Sequence, residues 1–279
     1  MRAAVVGLGL IGGSAALALE ARGYDRDART RARARERGIE AAESLWEAVR
    51  GAEVVLIAVP TDETPALLLQ TAAAAPAALL TDASSLKRPV AASAAALPPT
   101  TRFVAGHPMA GSKTPGLDGA RADLFHGRPW LIVPTERSDV HAIDLVQSLV
   151  RRMGAHPVIV EPDRHDALMT WISHLPHAVA SALARAVSTG GGTGLDRFAG
   201  PGLLDSTRIA DTPAGLALER ALANPKALAA AIESVRAELE DLAASLRAGS
   251  ASRVQDFFEN AARTRRALEN PGGSSSKRS

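Results

Sequence analysis

The chain of 279 residues contains no cysteine. This absence excludes disulfide bonds, thiol nucleophiles and thiolate metal sites. Aromatic residues are also scarce, at 3% of the chain, although 46% of it is hydrophobic. The core must therefore be built mainly from Ala, Leu, Val and Ile side chains.

Long apolar runs and an excess of one charge are missing as well. No run approaches the roughly 18 residues of a membrane span, and the first one, AAVVGLGLIGG, lacks the basic start and cleavage site of a signal peptide. The 32 Lys and Arg residues are interleaved with 30 Asp and Glu, which leaves a formal charge of +2. We therefore expect a cytosolic protein whose partners include neither membrane nor nucleic acid.

Short apolar runs alternate with amphipathic segments over residues 1–162. Six runs are rich in β-branched and aliphatic residues and are typical of buried strands. They lie at 3–7, 52–60, 78–84, 102–106, 129–134 and 156–161. Alternation of such strands with helices predicts an α/β fold with a doubly wound, mostly parallel sheet.

The remaining chain changes character, because Ala- and Leu-rich helical periodicity replaces the strand runs. This pattern predicts an all-helical C-terminal domain over residues 163–270. The wide apolar faces of its helices predict a homodimer that covers them. Residues 271–279 are small, polar and charged, and we expect a disordered tail there.

A glycine-rich segment, VVGLGLIGGS, stands between the first strand and a helical pattern. Its spacing G-x-G-x-x-G predicts a dinucleotide site, because glycines permit the tight turn, the approach of a pyrophosphate and close helix packing. The anion would lie on the free N–H groups of the helix start. The expected cofactor contacts are Gly7, Gly9, Leu10, Ile11 and Gly12.

An acidic residue about 20 positions further on normally holds the ribose of the cofactor. Asp25 is the candidate, but the helical pattern SAALALEARG extends to Gly23 and leaves no apolar run for a second strand. The sequence therefore predicts a missing or shortened second strand and an uncertain cofactor pocket. A carboxylate at residue 25 favours NAD, whereas the nearby Arg26, Arg29 and Arg31 keep NADP open.

Polar residues follow two of the predicted strands. Ser85 comes after ALLT in the segment TDASSLK, and His107 comes after RFVA in the segment GHPMAGSKTPG. Ligands of open α/β sheets bind beyond the carboxyl ends of the strands. We therefore expect both loops at the same sheet edge as the glycine-rich turn.

The helical half carries its own polar group. The segment SHLPHA places His174 and His177 three residues apart on one helix face, and LDSTRIA contains Arg208 in a polar loop. Two histidines without a third ligand at a recognisable spacing do not predict a metal site.

These segments together resemble the prephenate dehydrogenase family, which acts on prephenate or arogenate. The matching pieces are VVGLGLIGGS, TDASSLK, GHPMAGSKTPG, SHLPHAVASAL and LDSTRIA, in that order. The resemblance implies a Rossmann-type domain followed by a helical domain that forms the dimer. It also implies oxidative decarboxylation of prephenate to 4-hydroxyphenylpyruvate, with hydride transfer to NAD+, in tyrosine biosynthesis. Neither a fused chorismate mutase domain nor a C-terminal regulatory domain is expected.

The resemblance further implies roles for individual residues. His107 would accept a hydrogen bond from the C4 hydroxyl of the substrate, a task that suits a neutral imidazole. Ser85 would orient His107 or bind the same hydroxyl. Arg208 would hold a substrate carboxylate, and His177 and His174 would help to bind the substrate from the helical domain.

Three alternatives remain at the level of the sequence. Arogenate, with NAD or NADP, differs from prephenate only in an amino group that replaces a keto group. A dehydrogenase of 3-hydroxy acids would rely on a catalytic lysine, and only Lys226 and Lys277 follow residue 113. A non-catalytic binding relic with an impaired cofactor site would explain the gap before Asp25.

Overall fold

The structure is a computed structural model that describes residues 1–191 and 194–269. It consists of two compact units, of which the first is Met1–Met169 and the second begins at Thr170. The tail predicted at 271–279 lies outside the described residues. None of the described helices is long and apolar enough to cross a membrane.

The first unit is built around a seven-stranded sheet with the order β2-β1-β3-β4-β5-β6-β7. The strands are β1 Ala3–Val6, β2 Arg22–Tyr24, β3 Val54–Ile57, β4 Leu79–Asp82, β5 Arg102–Pro108, β6 Pro129–Val133 and β7 His156–Ile159. Every neighbouring pair is parallel except β5 and β6. The predicted doubly wound, mostly parallel sheet is thus confirmed.

Helices cover both faces of this sheet. They are α1 Leu10–Leu19, α2 Ala28–Glu36, α3 Leu45–Val49, α4 Thr64–Ala74, α5 Lys87–Ala95, α6 Val140–Arg152 and α7 Pro162–Met169. Successive strand residues point to opposite faces. Val5 accordingly packs in one apolar cluster with side chains of α1 and α6, whereas Val6 packs in the other with side chains of α3, α4 and α5.

The second strand is short but present, and the expectation that the first helix extends to Gly23 is wrong. Helix α1 ends at Leu19, because Glu20 adopts a left-handed conformation with φ 50° that reverses the chain. Strand β2 then pairs with Ala4–Val6 of β1. Glycine suits this strand, because a Cβ on Gly23 would lie 2.6 Å from the side chain of Leu8.

The described part of the second unit is helical, as predicted. A π-helical turn, Thr170–His174, leads into α8 Leu175–Gly190, and α9 Pro201–Thr207, α10 Ala214–Ala223, α11 Pro225–Arg247 and α12 Ala251–Glu269 follow. Its small apolar cluster centres on Leu175, Leu228 and Ala231.

Candidate active site

The glycine-rich turn has the geometry of a dinucleotide cradle. Gly7 has φ +91°, a conformation that L side chains rarely adopt, and its N–H donates to the carbonyl of Tyr24 in β2. A Cβ on Gly12 would lie 1.8 Å from the Gly7 carbonyl oxygen, whereas nothing lies within 4 Å of one on Gly9. The space beside Gly9 is therefore open to a ligand where α1 begins.

The start of α1 suits a phosphate group. Gly9 is its N-cap and provides no side-chain hydrogen bond, and the first turn contains no acidic residue. Leu10 and Ile11 form that turn and are half-buried. Its N–H groups and the positive end of the helix dipole can therefore interact with an anion.

Asp25 directly follows β2 and reaches the glycine-rich turn. Its carboxylate accepts hydrogen bonds from the N–H groups of Leu8 and Asp27, both at 2.9 Å. Asp25, Gly7 and Gly9 line one cleft of about 740 Å³. The three-residue strand thus brings the carboxylate to the glycine-rich turn, and these residues fit a dinucleotide cofactor.

Two of the three nearby arginines have carboxylate partners of their own. Arg26 forms an ion pair with Glu63 at 2.9 Å, and Arg31 forms one with Glu43 at 3.0 Å. Arg29 lies on the exposed face of α2.

A buried ion pair supports the backbone next to His107. The Lys87 ammonium donates to Asp82 at 2.7 Å and to the carbonyl of Gly106 at 2.6 Å, and the Gly106 N–H donates to the other oxygen of Asp82 at 3.0 Å. Both side chains are buried. Burial lowers the pKa of Lys87 from its ordinary value of 10.5, and the Asp82 carboxylate opposes this shift.

Ser85 lies between these two ionic residues, in the turn that joins β4 to α5. It is half-buried, and among the described residues its hydroxyl has no hydrogen-bond partner. The preceding Ser84 is buried, and its hydroxyl contacts that of Thr64 at 3.0 Å.

His107 belongs to strand β5 and not to the loop that the sequence predicts. It pairs with Leu131 of the antiparallel strand β6, because β5 continues beyond the Val104 position where its pairing with β4 ends. The ring is half-buried.

The neighbour of the His107 ring is a residue that the sequence analysis did not select. Nδ1 of His107 lies 3.0 Å from Nε2 of His165, a fully buried residue of α7. Nδ1 of His165 lies 3.0 Å from the carboxylate of Asp166, which also forms an ion pair with Arg88 at 3.1 Å.

The second unit contains the other three predicted site residues. His174 is buried at the end of the π-helical turn, and His177 is half-buried in the first turn of α8. Both line a cavity of about 280 Å³, and Nε2 of His177 has no hydrogen-bond partner among the described residues. Arg208 is exposed where α9 ends, and none of the described carboxylates forms an ion pair with it.

Comparison with known families assigns both halves of the chain. The family model described as "Prephenate dehydrogenase, nucleotide-binding domain" matches residues 16–159. The model described as "Prephenate dehydrogenase, dimerization domain" matches residues 161–260. The chain belongs to the prephenate dehydrogenase family. It is therefore an oxidoreductase with a nucleotide-binding domain.

Individual relatives agree with this assignment. A prephenate dehydrogenase of Bacillus subtilis is 31% identical over 75% of the chain, and the match spans 60% of the Bacillus protein. A crystal structure of prephenate dehydrogenase from Aquifex aeolicus with hydroxyphenyl propionate and NAD+ is 25% identical, with TM-score 0.86 over 96% of this chain and 98% of that one. Synechocystis arogenate dehydrogenase is 28% identical, with TM-score 0.81 over 96% and 100%.

These similarities bear directly on the cofactor. The nucleotide-binding domain and the NAD+ complex of the Aquifex relative support NAD as the cofactor of this prephenate dehydrogenase family member. The contacts of Asp25 with the glycine-rich turn remove the structural reason for the relic hypothesis.

Proposed function

We propose that the protein is an NAD-dependent prephenate dehydrogenase, which converts prephenate to 4-hydroxyphenylpyruvate and CO₂. The observation that carries the proposal is the order of groups along one sheet edge. The strands β2, β1, β3, β4 and β5 are parallel neighbours in this order. Ligands of such sheets bind beyond the carboxyl ends of the strands, which supports a site along this edge from Asp25 and the glycine-rich turn to Ser85 and His107.

The proposed cofactor contacts are Gly7, Gly9, Leu10, Ile11 and Gly12, together with the Asp25 carboxylate on the adenosine ribose. The open space at Gly9 and the uncapped start of α1 support a pyrophosphate there. Bound NAD+ would supply the hydride acceptor for the oxidation.

Residues of the chain would accept the substrate proton and bind the substrate. We assign His107 as the group that accepts the proton of the C4 hydroxyl, which makes hydride loss from C4 easier as the ring carboxylate leaves as CO₂. Ser85, whose hydroxyl has no partner among the described residues, would hydrogen-bond the same hydroxyl. Arg208 would hold a substrate carboxylate as a two-pronged donor, and His174 and His177 would bind the substrate.

A steady-state assay of NADH formation with prephenate and with arogenate tests this function, and a parallel series with NADP+ tests the cofactor. We expect turnover of prephenate with NAD+. Turnover of arogenate alone would assign the second candidate, which the arogenate dehydrogenase from Synechocystis supports. Failure to turn over either substrate would contradict the proposal.

Two variants test the assigned roles. His107→Asn should lower kcat by about 10²- to 10⁴-fold without loss of fold, since that is the usual contribution of a general base. His156→Asn, at an exposed position of β7, is its matched control and should keep activity. Arg208→Ala should mainly raise KM, whereas Arg263→Ala on the exposed face of α12 should not.

We extend the proposal to a cytosolic homodimer. The match to a dimerization domain over residues 161–260 and the exposed apolar side chains of the second unit support self-association through this unit.

A further inference from the structure

Two imidazoles and a carboxylate form a continuous hydrogen-bonded row behind the proposed catalytic position. The row consists of His107 on β5 and of His165 and Asp166 on α7, with both nitrogen–nitrogen and nitrogen–oxygen distances at 3.0 Å. Both ring nitrogens of His165 have a partner in the row, and this constrains the positions of the protons.

The carboxylate of Asp166 determines which nitrogen donates and which accepts in each hydrogen bond of the row. An ionised Asp166 can only accept, so Nδ1 of His165 must carry its proton and donate it. In a neutral His165 ring, Nε2 then bears the lone pair and accepts. Its partner, Nδ1 of His107, must therefore be the protonated nitrogen of that ring. The lone pair of His107 is consequently on Nε2.

We propose that His165 and Asp166 are positioning residues that fix the Nδ1–H tautomer of His107, so that its Nε2 is the proton acceptor. The inference rests on the proposed function, because it concerns the same histidine. Neither residue touches the substrate in this scheme, and both act through the ring of His107.

Burial favours this assignment. His165 is 0% exposed, so its two ring nitrogens find their hydrogen-bond partners within the row and not in solvent. The charged groups of the first unit that interact with the row are Lys87 and Arg88 on α5, both with Asp166. Arg88 forms an ion pair with Asp166 and helps to hold that carboxylate in place.

The row also accommodates the proton that catalysis delivers. The hydroxyl proton of the substrate moves to Nε2 of His107, and the O–H bond breaks as the N–H bond forms. The resulting imidazolium keeps its Nδ1–H bond to Nε2 of His165, which is aligned by the negative charge of Asp166. No additional reactant is needed for this step.

The decisive measurement is the tautomer of His107 in the full-length protein labelled with ¹⁵N-histidine. Long-range ¹H–¹⁵N correlations distinguish the two neutral tautomers, and His107→Asn assigns the signal. We expect the Nδ1–H form in the wild type. In Asp166→Ala, His165 is released to protonate its Nε2, and we expect the Nε2–H form of His107 to appear.

The matched control is Asp163→Ala, an exposed carboxylate on the same helix. It should leave the tautomer, kcat and KM unchanged. His165→Leu removes the hydrogen-bond acceptor of His107 altogether. It should lower kcat by about 10- to 100-fold, which is part of the contribution of a general base. KM should change by less than about threefold. If His165→Leu fails to fold, Asp166→Ala alone provides the test.

Two results would overturn the inference. One is a wild-type His107 in the Nε2–H form, and the other is a tautomer and kcat that stay unchanged in Asp166→Ala. A wild type that turns over neither substrate contradicts the proposed function instead, and the tautomer still decides the inference independently of activity.

Discussion

The two units differ in how completely they bury their apolar side chains. The sheet of the first unit is covered on both faces, and residues such as Val5, Ile57 and Phe103 are 0% exposed. In the second unit, α9, α10 and α12 contain no buried residue. Leu218, Leu222 and other large apolar side chains remain about 60% exposed there.

This difference shows which stabilisation each unit obtains from its own chain. A sheet between two helix layers forms a closed core, whereas amphipathic helices leave apolar surface that burial against another surface would stabilise by about 25 cal/mol per Å². We therefore expect the stability of the first unit to depend mainly on buried polar pairs and close glycine contacts. The stability of the second unit should depend mainly on association with another surface.

The largest effect should come from Lys87→Met in the first unit. The substitution leaves the Asp82 carboxylate buried without its cation, which typically costs about 3–5 kcal/mol. Urea unfolding measures the loss of free energy. The matched change in the second unit, Lys226→Met at an exposed position, should stay within about 0.5 kcal/mol. Equal losses of unfolding free energy in the two variants would contradict the proposed difference between the two units.

Gly12→Ala should have the next largest effect. A Cβ there collides with the Gly7 carbonyl oxygen and forces α1 away from the cofactor turn, at an overpacking cost of about 1–3 kcal/mol. NAD titration should show a marked loss of affinity. Gly215→Ala in α10 has open space around its Cβ and should be neutral or stabilising by up to about 1 kcal/mol. A Gly12→Ala protein with unchanged affinity and stability would disprove the crowding argument.

Leu222→Glu tests association of the second unit. If this side chain is covered in a homodimer, the charge should weaken dimerisation by about 10- to 100-fold, the equivalent of roughly 1.5–3 kcal/mol for one buried leucine. Analytical ultracentrifugation measures the change. Leu69→Glu, at a 47% exposed position of α4, should leave the dimer intact. Loss of association in both variants, or in neither, would remove α10 from the proposed interface.

The smallest effect should be shared by both units. Arg253→Ala removes an ion pair with Asp241 in the second unit, and Arg121→Ala removes one with Asp123 in the first. All four side chains are more than half exposed, so each loss should be about 0–1 kcal/mol in thermal unfolding. A clearly larger loss in one unit would show that surface charge also distinguishes the two.

The sequence predicts six strands correctly because each is an apolar run. Five of them are largely buried in the sheet, whereas β7 forms its edge and is mostly exposed. Strand β2 has no such signal, since three residues at the sheet edge include a charged Arg22 and a Gly23 that fits against Leu8. Its position depends on the left-handed Glu20, and local propensity does not predict this conformation for a glutamate.

Sequence patterns also did not predict the contact between His107 and His165. The segment GHPMAG indicates a functional imidazole, but its partner His165 lies 58 residues further on. The contact arises only because β5 continues past β4 and α7 packs in the same unit. A single signal was present: His165 and Met169 stand four residues apart on the buried face of α7, where a polar side chain requires a partner.

The ion pair of Asp82 and Lys87 has a consequence for the ionic strength at which the protein can work. The pairing of β5 with β4 ends at Val104, and the two buried side chains hold Gly106, two residues further on, in its place. At 0.1 M salt, dissolved ions largely screen the interaction of exposed charges that are more than about 10 Å apart, and higher concentrations shorten this distance. They act much less on buried charges. The Asp82–Lys87 pair should therefore still hold the backbone beside His107 in concentrated salt, under conditions that weaken the exposed ion pairs on the helix surfaces.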